Sequence, residues 1–531
     1  MPRKSKLYQE KATSNGVNKL APQLVCKASD FFKNAVEKEK LELKKQPSSF
    51  SLFSFMLNKV YSALLKFIED IIGIQLYVAP DNFSLKLSSR TKNLIASFTQ
   101  KKIITRIQKL QRVYYDEPEI TAYWLFAASA SPDISLYSDG QGVSVINGGA
   151  DWDEERALMK AVGEGLERFC LCVYREKNLL VSSYDKIFRK ALDPLSFAGI
   201  SALQRKNNKR LRIDEKSIFR WVEGFSLFDR RKIFIPAQLV YIGYKYHPQE
   251  PYIQQQISTG AAAADSFEEA LYRGICEAVE RDAFMVNYLN KFSPPLIDLE
   301  AIDNENFQRL LKMFKRYNLE LYVLDITTDI AIPSVMAVII DRTGVGPAVH
   351  VGTKTSLNIK EAILGVVCEC LRGRLSFRGV SSPPNLSEEK LKFLRSNPSQ
   401  IKTFADRSNF WALPEMIDKI EFLFQGPKKI ISKDELSKHQ NVPVKEKLKL
   451  ALNLLRERKI DVCGVDITMP PIKEEGIYVA KVVSPQLQPL YLNESLRHIS
   501  GERIFRAPVT LGYRKEPLLE SEINQIPHPF L

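Results

Sequence analysis

The strongest constraint in this sequence is one acidic, helix-spaced pattern that occurs three times. The segments are Ala157-Leu-Met-Lys-Ala-Val-Gly-Glu164-Gly-Leu-Glu167-Arg168, Ala270-Leu-Tyr-Arg-Gly-Ile-Cys-Glu277-Ala-Val-Glu280-Arg281 and Ala362-Ile-Leu-Gly-Val-Val-Cys-Glu369-Cys-Leu-Arg372-Gly-Arg374. In each, an Ala is followed seven residues later by Glu and three residues further by another charged side chain. Asp153, Ser266 and Asn358 stand four residues before the Ala, where an N-cap belongs, and Ser266 with Glu269 and Asn358 with Glu361 have capping-box spacing. Separations of 113 and then 92 residues between the Glu positions are too long and too unequal for a solenoid. The chain therefore carries three distant helices of one kind.

At ~100° per residue each helix has two faces. Leu158, Val162, Leu166, Phe169 and Val173 form the apolar stripe of the first, and Glu164, Glu167 and Arg168 point away from it. Leu271, Ile275 and Ala278 oppose Arg273, Glu277 and Glu280 in the second, and Glu369 and Arg372 repeat the arrangement in the third. A solvated face is the plain reading of one such helix. Three features count against it here. Gly163 and Gly165 each cost ~1 kcal/mol relative to Ala inside a helix, which points to close approach by something. The pairs Glu164/Glu167 and Glu277/Glu280 put like charges on one face, which favours a cation between them. The same register also appears three times. Carboxylate pairs of this kind suit Mg²⁺ carrying phosphates, and Arg168, Arg281 and Arg374 suit the phosphate oxygens.

With 531 residues, 45% hydrophobic and 26% charged, the chain is neither disordered nor fibrous. Residues 1–50 read as a basic mobile arm. Residues 51–125 read as a helical accessory region, with helix-period apolar positions at 55–74 and 103–113. Residues 126–531 alternate short β-rich runs, such as 232–242, 319–327 and 334–341, with periodic helices, which predicts an α/β protein. A polar break falls at 381–399, and the residues from Ile526, with Pro527 and Pro529, must form an extended tail.

The net charge of +14 belongs mainly to the front: residues 1–120 hold 21 basic and 11 acidic side chains, against 55 and 51 in the rest. Lys101, Lys102, Arg106, Lys109 and Arg112 fall at helix spacing. A solvated arm and a surface for an acidic peptide or partner both fit. A nucleic-acid contact is disfavoured because no aromatic-interleaved motif accompanies the stripe. Seven scattered cysteines do not resemble a secreted disulfide framework. Residues 1–10 show no signal peptide, and the most apolar stretch, 52–80, is broken by Lys59, Lys66, Glu69 and Asp70, so no membrane span is expected. A cytoplasmic location follows. Cys170/Cys172 and Cys368/Cys370 diverge by ~200° on a helix and, like Cys276, read as core thiols. Five scattered histidines give no zinc pattern.

At these helices the sequence resembles the YcaO family. Ser258-Thr-Gly-Ala-Ala-Ala-Ala264, Ser266-Phe-Glu-Glu-Ala-Leu271 and Glu277-Ala-Val-Glu-Arg-Asp-Ala-Phe284 are similar to its central signature. Gly140-Gln-Gly142 ahead of Glu164-Gly-Leu-Glu-Arg168 resembles its first motif, and Glu369 to Arg374 its third. Ile235-Pro-Ala237, Asp325-Ile-Thr and Gly352 fall where members have similar segments, so the likeness runs from about residue 138 to the end. Lys160 stands where the first motif often has Ser, Arg372 where the third often has Gln, and Leu531 where azoline-forming members end in Pro.

The resemblance implies a domain of mixed sheets packed with helices that bind ATP and Mg²⁺ without a Gly-rich loop. It puts Mg²⁺ on Glu164, Glu167, Glu277 and Glu280, with Glu369 as a lesser candidate, and nucleotide on these and on Arg168, Arg281 and Arg374. It implies that Pro527 and Pro529 belong to a tail at the cyclodehydration site, with a conformational role for its prolines beside His528. The implied activity is ATP-dependent activation of backbone amides in a ribosomally made precursor peptide, cyclodehydrating Cys, Ser or Thr to thiazoline or oxazoline, as in bacteriocin biosynthesis. Two alternatives remain: thioamidation with a TfuA-like partner, and a non-catalytic ATP-binding accessory role in ribosomal-protein methylthiolation. No GxGxxG follows a strand, so a ThiF-like leader-binding partner is expected as a separate protein. Family members are often homodimers.

Overall fold

Helices that carry carboxylates on one side need something to cover the other, and short sheets do this here. The computed structural model describes residues 87–110, 120–127, 138–142, 147–197, 199–343, 347–380 and 388–530. All of them fall in one of the chain's two units, Tyr77–Leu531. The expected arm at 1–50 and the helix at 55–74 lie outside the described residues, as does Arg112.

The unit opens with helix α1 (Ser89–Gln100) and an antiparallel sheet of β1 (Ile104–Lys109), β2 (Thr121–Ala127) and β3 (Asn147–Asp151). Helix α2 (Glu154–Cys172) follows at once. A six-stranded sheet runs in the order β4 (Leu180–Ser183), β5 (Ile218–Ser226), β13 (Cys463–Asp466), β14 (Tyr478–Val483), β7 (Ala261–Ala264), with β6 (Lys232–Pro236) also paired to β5. Its last-ordered strand, β7, leads into α3 (Phe267–Leu289). A five-stranded sheet has the order β11 (Val349–Thr355), β10 (Ser334–Asp341), β9 (Leu319–Asp325), β8 (Leu296–Ile297), β12 (Lys428–Lys429), and its end strand β11 leads into α5 (Ile359–Val380). Between β8 and β9 lies α4 (Glu305–Arg316), and α6 (Val444–Glu457) and α7 (Glu502–Thr510) follow α5 in the chain.

Each carboxylate helix thus grows from an outer strand of a different sheet. Each also reaches the next sheet: α2 packs on β2 and β3 and touches β7 and β14, α3 packs on β7 and β14 and touches β10 and β11, and α5 packs on β10 and β11 and touches β3. The three contacts close a ring. Local capping agrees with the sequence: Asp153, Ser266 and Asn358 accept from the N–H groups of Arg156, Glu269 and Glu361. The reciprocal half of the capping box is not made, because Glu269 turns to Arg273 and Glu361 to Ser356.

Helices held between two sheets are covered on more than one side, which explains why Cys170, Cys172, Cys368 and Cys370 are all buried despite their divergent positions. Gly165 makes the close approach its position suggested, since a Cβ there would lie 2.2 Å from Leu125 of β2. Gly163 does not; nothing lies within 4 Å of a Cβ placed on it.

Several expectations are corrected. The described part of the segment 103–113, residues 103–110, is strand at Ile104–Lys109, not helix, because its β-branched Ile103, Ile104 and Ile107 bury against the first sheet. Its basic residues consequently share no helical stripe: Lys101 pairs with Glu475 at 2.8 Å, Lys109 pairs with Glu154, and Arg106 lies over the Phe126 ring. The strand expected at 232–242 ends at Pro236, which has no N–H to continue the ladder. The break at 381–399 contains a helix at Glu388–Ser396.

Candidate nucleotide site

The three charged helix faces are turned toward one another. From α2 come Glu164, Glu167 and Arg168; from α3, Glu277, Glu280 and Arg281; from α5, Glu369 and Arg372. Two strands add cations: Lys354 of β11 and Lys481 of β14. Acid and base alternate through this group. Arg168 lies 3.4 Å from Glu164, Arg281 3.4 Å from Glu277, Lys354 2.9 Å from Glu369, and Arg372 crosses from α5 to within 3.3 Å of Glu164.

Glu280 sits deepest of the five carboxylates, with only 5% of its side chain exposed. Its Oε1 accepts from Arg281 at 2.5 Å and from the Thr353 hydroxyl at 2.8 Å, and its Oε2 accepts from the Thr355 backbone N–H at 2.9 Å. The β11 strand therefore presents alternate residues, Thr353 and Thr355, to α3, while Lys354 between them reaches Glu369 on α5. Glu164 is likewise fixed by backbone, its Oε2 accepting from Gly148 N–H at 2.7 Å.

The electrostatics follow from enclosure. Burial, with repulsion from Glu369 and Glu277, pushes Glu280 up to about 7 although Arg281 and Lys354 oppose the shift. Burial and Glu277 also raise Glu167 well above the usual carboxylate range. For Glu369, burial is outweighed by Lys354 and the nearby arginines, and its carboxyl is lowered. Lys481 is 2% exposed, donates to the carbonyls of Ile257 and Thr259, and is lowered to about 8 by burial, with Glu277 and Glu167 resisting. Burial is thus the largest cause of both raised carboxylates.

That donor set, all hard oxygens, fits Mg²⁺. Among the described residues no three of His, Cys, Asp or Glu converge on one point suited to a metal ion. Glu164, Glu277, Glu280 and Glu369 face arginines or Lys354, so an ion bound here exchanges places with one of these cations.

Glu164, Glu167, Arg168, Glu277, Glu280, Arg281 and Glu369 are thus brought together. Arg374 is not: it forms a buried pair with Asp341 at 2.8 Å, at the end of β10 opposite Ser334, which pairs with Thr355. Pro527 and Pro529 are buried, and the Pro527 carbonyl accepts from Tyr288 and Trp411. Phe530, three residues beyond Pro527, does reach the site, with the Arg281 guanidinium 4.3 Å from its ring centroid. Thr353, Lys354, Thr355, Lys481 and Gly148 were missed. The only sequence signal was a lysine interrupting an apolar strand, as in Tyr478-Val-Ala-Lys481-Val-Val483.

The family model described as YcaO cyclodehydratase, ATP- and Mg²⁺-binding, matches residues 148–488, a span that holds all three helices. The chain belongs to the YcaO family. Its cofactors are ATP and Mg²⁺. A YcaO protein of Methanopyrus kandleri, solved with AMPPCP and Mg²⁺, has a TM-score of 0.52 at 17% identity, covering 77% of this chain and 92% of that one. A heterocyclase solved in complex with substrate and cofactor has a TM-score of 0.67 at 20% identity, covering 83% of this chain. This chain spans 57% of that heterocyclase, so the likeness is one of fold. An uncharacterized protein of Methanothermobacter thermautotrophicus is 24% identical over 279 residues, 52% of this chain and 67% of the relative. An uncharacterized protein encoded in the tfuA 3′ region of Rhizobium leguminosarum bv. trifolii is 33% identical over 124 residues, 22% of this chain and 29% of the relative. No described helix is long and apolar enough to cross a membrane.

Proposed function

We propose that this YcaO protein uses ATP and Mg²⁺ to activate backbone amides of a ribosomally made precursor peptide, and that Cys, Ser or Thr side chains close on them as thiazolines or oxazolines. The carrying observation is the set of five carboxylates alternating with five cations where the three helices meet. In this reading Glu164, Glu167, Glu277 and Glu280 hold Mg²⁺, Glu369 holds Lys354 in place, and Arg281 and Arg168 take phosphate oxygens. When bound, Mg²⁺ neutralises the nucleotide's phosphates.

The chain's own residues then position and polarise. Thr353 and the Thr355 N–H aim Glu280 into the site; Gly148 and Arg372 do the same for Glu164. The peptide's side-chain nucleophile adds to the preceding amide carbonyl, the resulting oxygen takes the γ-phosphoryl group of ATP, and loss of phosphate leaves the ring. A cytoplasmic location, a separate leader-binding partner protein and a homodimer complete the proposal.

Mass spectrometry of a candidate precursor incubated with the protein, ATP and Mg²⁺ tests the reading. A loss of ~18 Da per modified residue marks a ring. The relative from the tfuA region favours one second reading, thioamidation, which instead replaces oxygen by sulfur, a gain of ~16 Da. An unchanged precursor mass together with absent peptide-stimulated ADP release would overturn both.

A further inference from the structure

The segment 526–530 is held along its length by groups that otherwise lack a purpose in the site. Arg407, of the helix Phe404–Trp411, is fully buried, a costly place for a charge unless it is paired. It pairs with Glu494 at 2.7 Å, the two side chains 0% and 3% exposed. It also donates to two carbonyls, Leu492 at 2.7 Å and His528 at 2.6 Å. Tyr288 and Trp411 both donate to the Pro527 carbonyl at 3.1 Å, and the His528 ring meets the Tyr491 carbonyl. Pro527 and Pro529 limit the backbone between these anchors to extended conformations. The outcome is that Phe530 bridges to Val351 of β11 and lies against Phe284 and the face of the Arg281 guanidinium.

A guanidinium hydrogen-bonds through its edge and stacks through its face. Thr353, Glu280 and Glu277 occupy part of the Arg281 edge, and the Phe530 ring occupies a face. Stacking therefore fixes the plane in which Arg281 offers its N–H groups and competes with no anion for them.

We propose that Arg407 is a positioning residue for the nucleotide site: by gripping the His528 carbonyl it seats Phe530 on Arg281 and so holds Arg281 ready for a phosphate. The inference rests on the nucleotide reading of the helices, not on the identity of the peptide or of the product.

Calorimetric titration of the full chain with Mg²⁺ and AMPPCP tests it without any peptide, using Phe530→Leu, Arg407→Lys, Arg407→Ala and the Arg407→Lys/Phe530→Leu double variant, with thermal melts of each. Phe530→Leu is expected to weaken binding about fivefold, the loss of one cation–π contact. Arg407→Lys, which keeps the charge but loses the fork, is expected to weaken it by up to the same factor, and Arg407→Ala to reach but not exceed that factor. Because Arg407 acts through Phe530, the double variant should bind no worse than Phe530→Leu alone. Wild-type affinity in Phe530→Leu, or multiplied losses in the double variant, would overturn the proposal and leave the proposed reaction standing. Absence of nucleotide binding by the unaltered chain would overturn both.

Discussion

Helices α3 and α5 begin from the same sequence plan and end with opposite electrostatics. Position for position, Glu277 and Glu280 of α3 correspond to Glu369 and Arg372 of α5. Glu280 is enclosed, takes three hydrogen bonds and titrates near 7, whereas Glu369 is 35% exposed, faces Lys354 and is lowered. The third helix has exchanged its second acid for Arg372, which crosses to Glu164 of α2. A repeated motif therefore does not make a symmetric site. Two helices supply acid, and the third supplies one acid and a cation that crosses between helices.

The largest effect should separate these two helices. Glu280→Gln is expected to lower ATP turnover about 100-fold, the scale of losing one preorganised charged group, while Glu369→Gln lowers it about tenfold or less. Phosphate release measured with a stimulating peptide checks this. Equal losses in the two variants would break the comparison.

A pH dependence should follow from the same contrast. The Glu280 carboxyl lies above its ordinary value of 4.5, at about 7, so the folded state binds its proton more tightly than the unfolded state does. Its stabilising contribution is whole below about pH 4.5 and is lost as pH rises through about 7. Urea unfolding without Mg²⁺ is expected to show stability falling over that window, and Glu280→Gln should flatten the fall. Glu167, raised for the same reason, retains the remainder. An unaltered slope in Glu280→Gln would refute the assignment.

The two glycines of α2 sharpen the contrast between a site face and a sheet face. Gly165→Ala forces a methyl toward Leu125 and should destabilise by about 1–3 kcal/mol. Gly163→Ala meets nothing within 4 Å and should stabilise by about 0.5–1 kcal/mol through helix propensity. Thermal melts shifted in opposite directions are the expected result.

The smallest effect belongs to Arg372→Gln. This partly exposed pair with Glu164 should contribute less than about 1 kcal/mol, so the melting temperature should hardly move, and KM for ATP should rise no more than about threefold. A tenfold rise would make Arg372 part of the binding machinery and bring α5 closer to α3.

Three carboxylate helices with their N-caps were legible because spacing along a helix dictates a shared face; that the three faces serve one site was implied only by the family resemblance. The reading failed where a local pattern competes with a longer-range one. Residues 103–113 have apolar positions compatible with helix, but their β-branched side chains found a sheet to bury against. Arg374, two residues beyond Arg372, turns to Asp341 of a strand that no helical wheel contains.

The sequence alone determined that three amphipathic helices would carry paired charges on one face each, since residue spacing fixes what shares a helix face. Only the tertiary structure decided which strand residues complete the site. Thr353, Lys354, Thr355 and Lys481 come from two different sheets, and Phe530 arrives from the far end of the chain. The physical reason is that helical periodicity is local, whereas which strand lies against which helix is set by the packing of three sheets around the ring of helices.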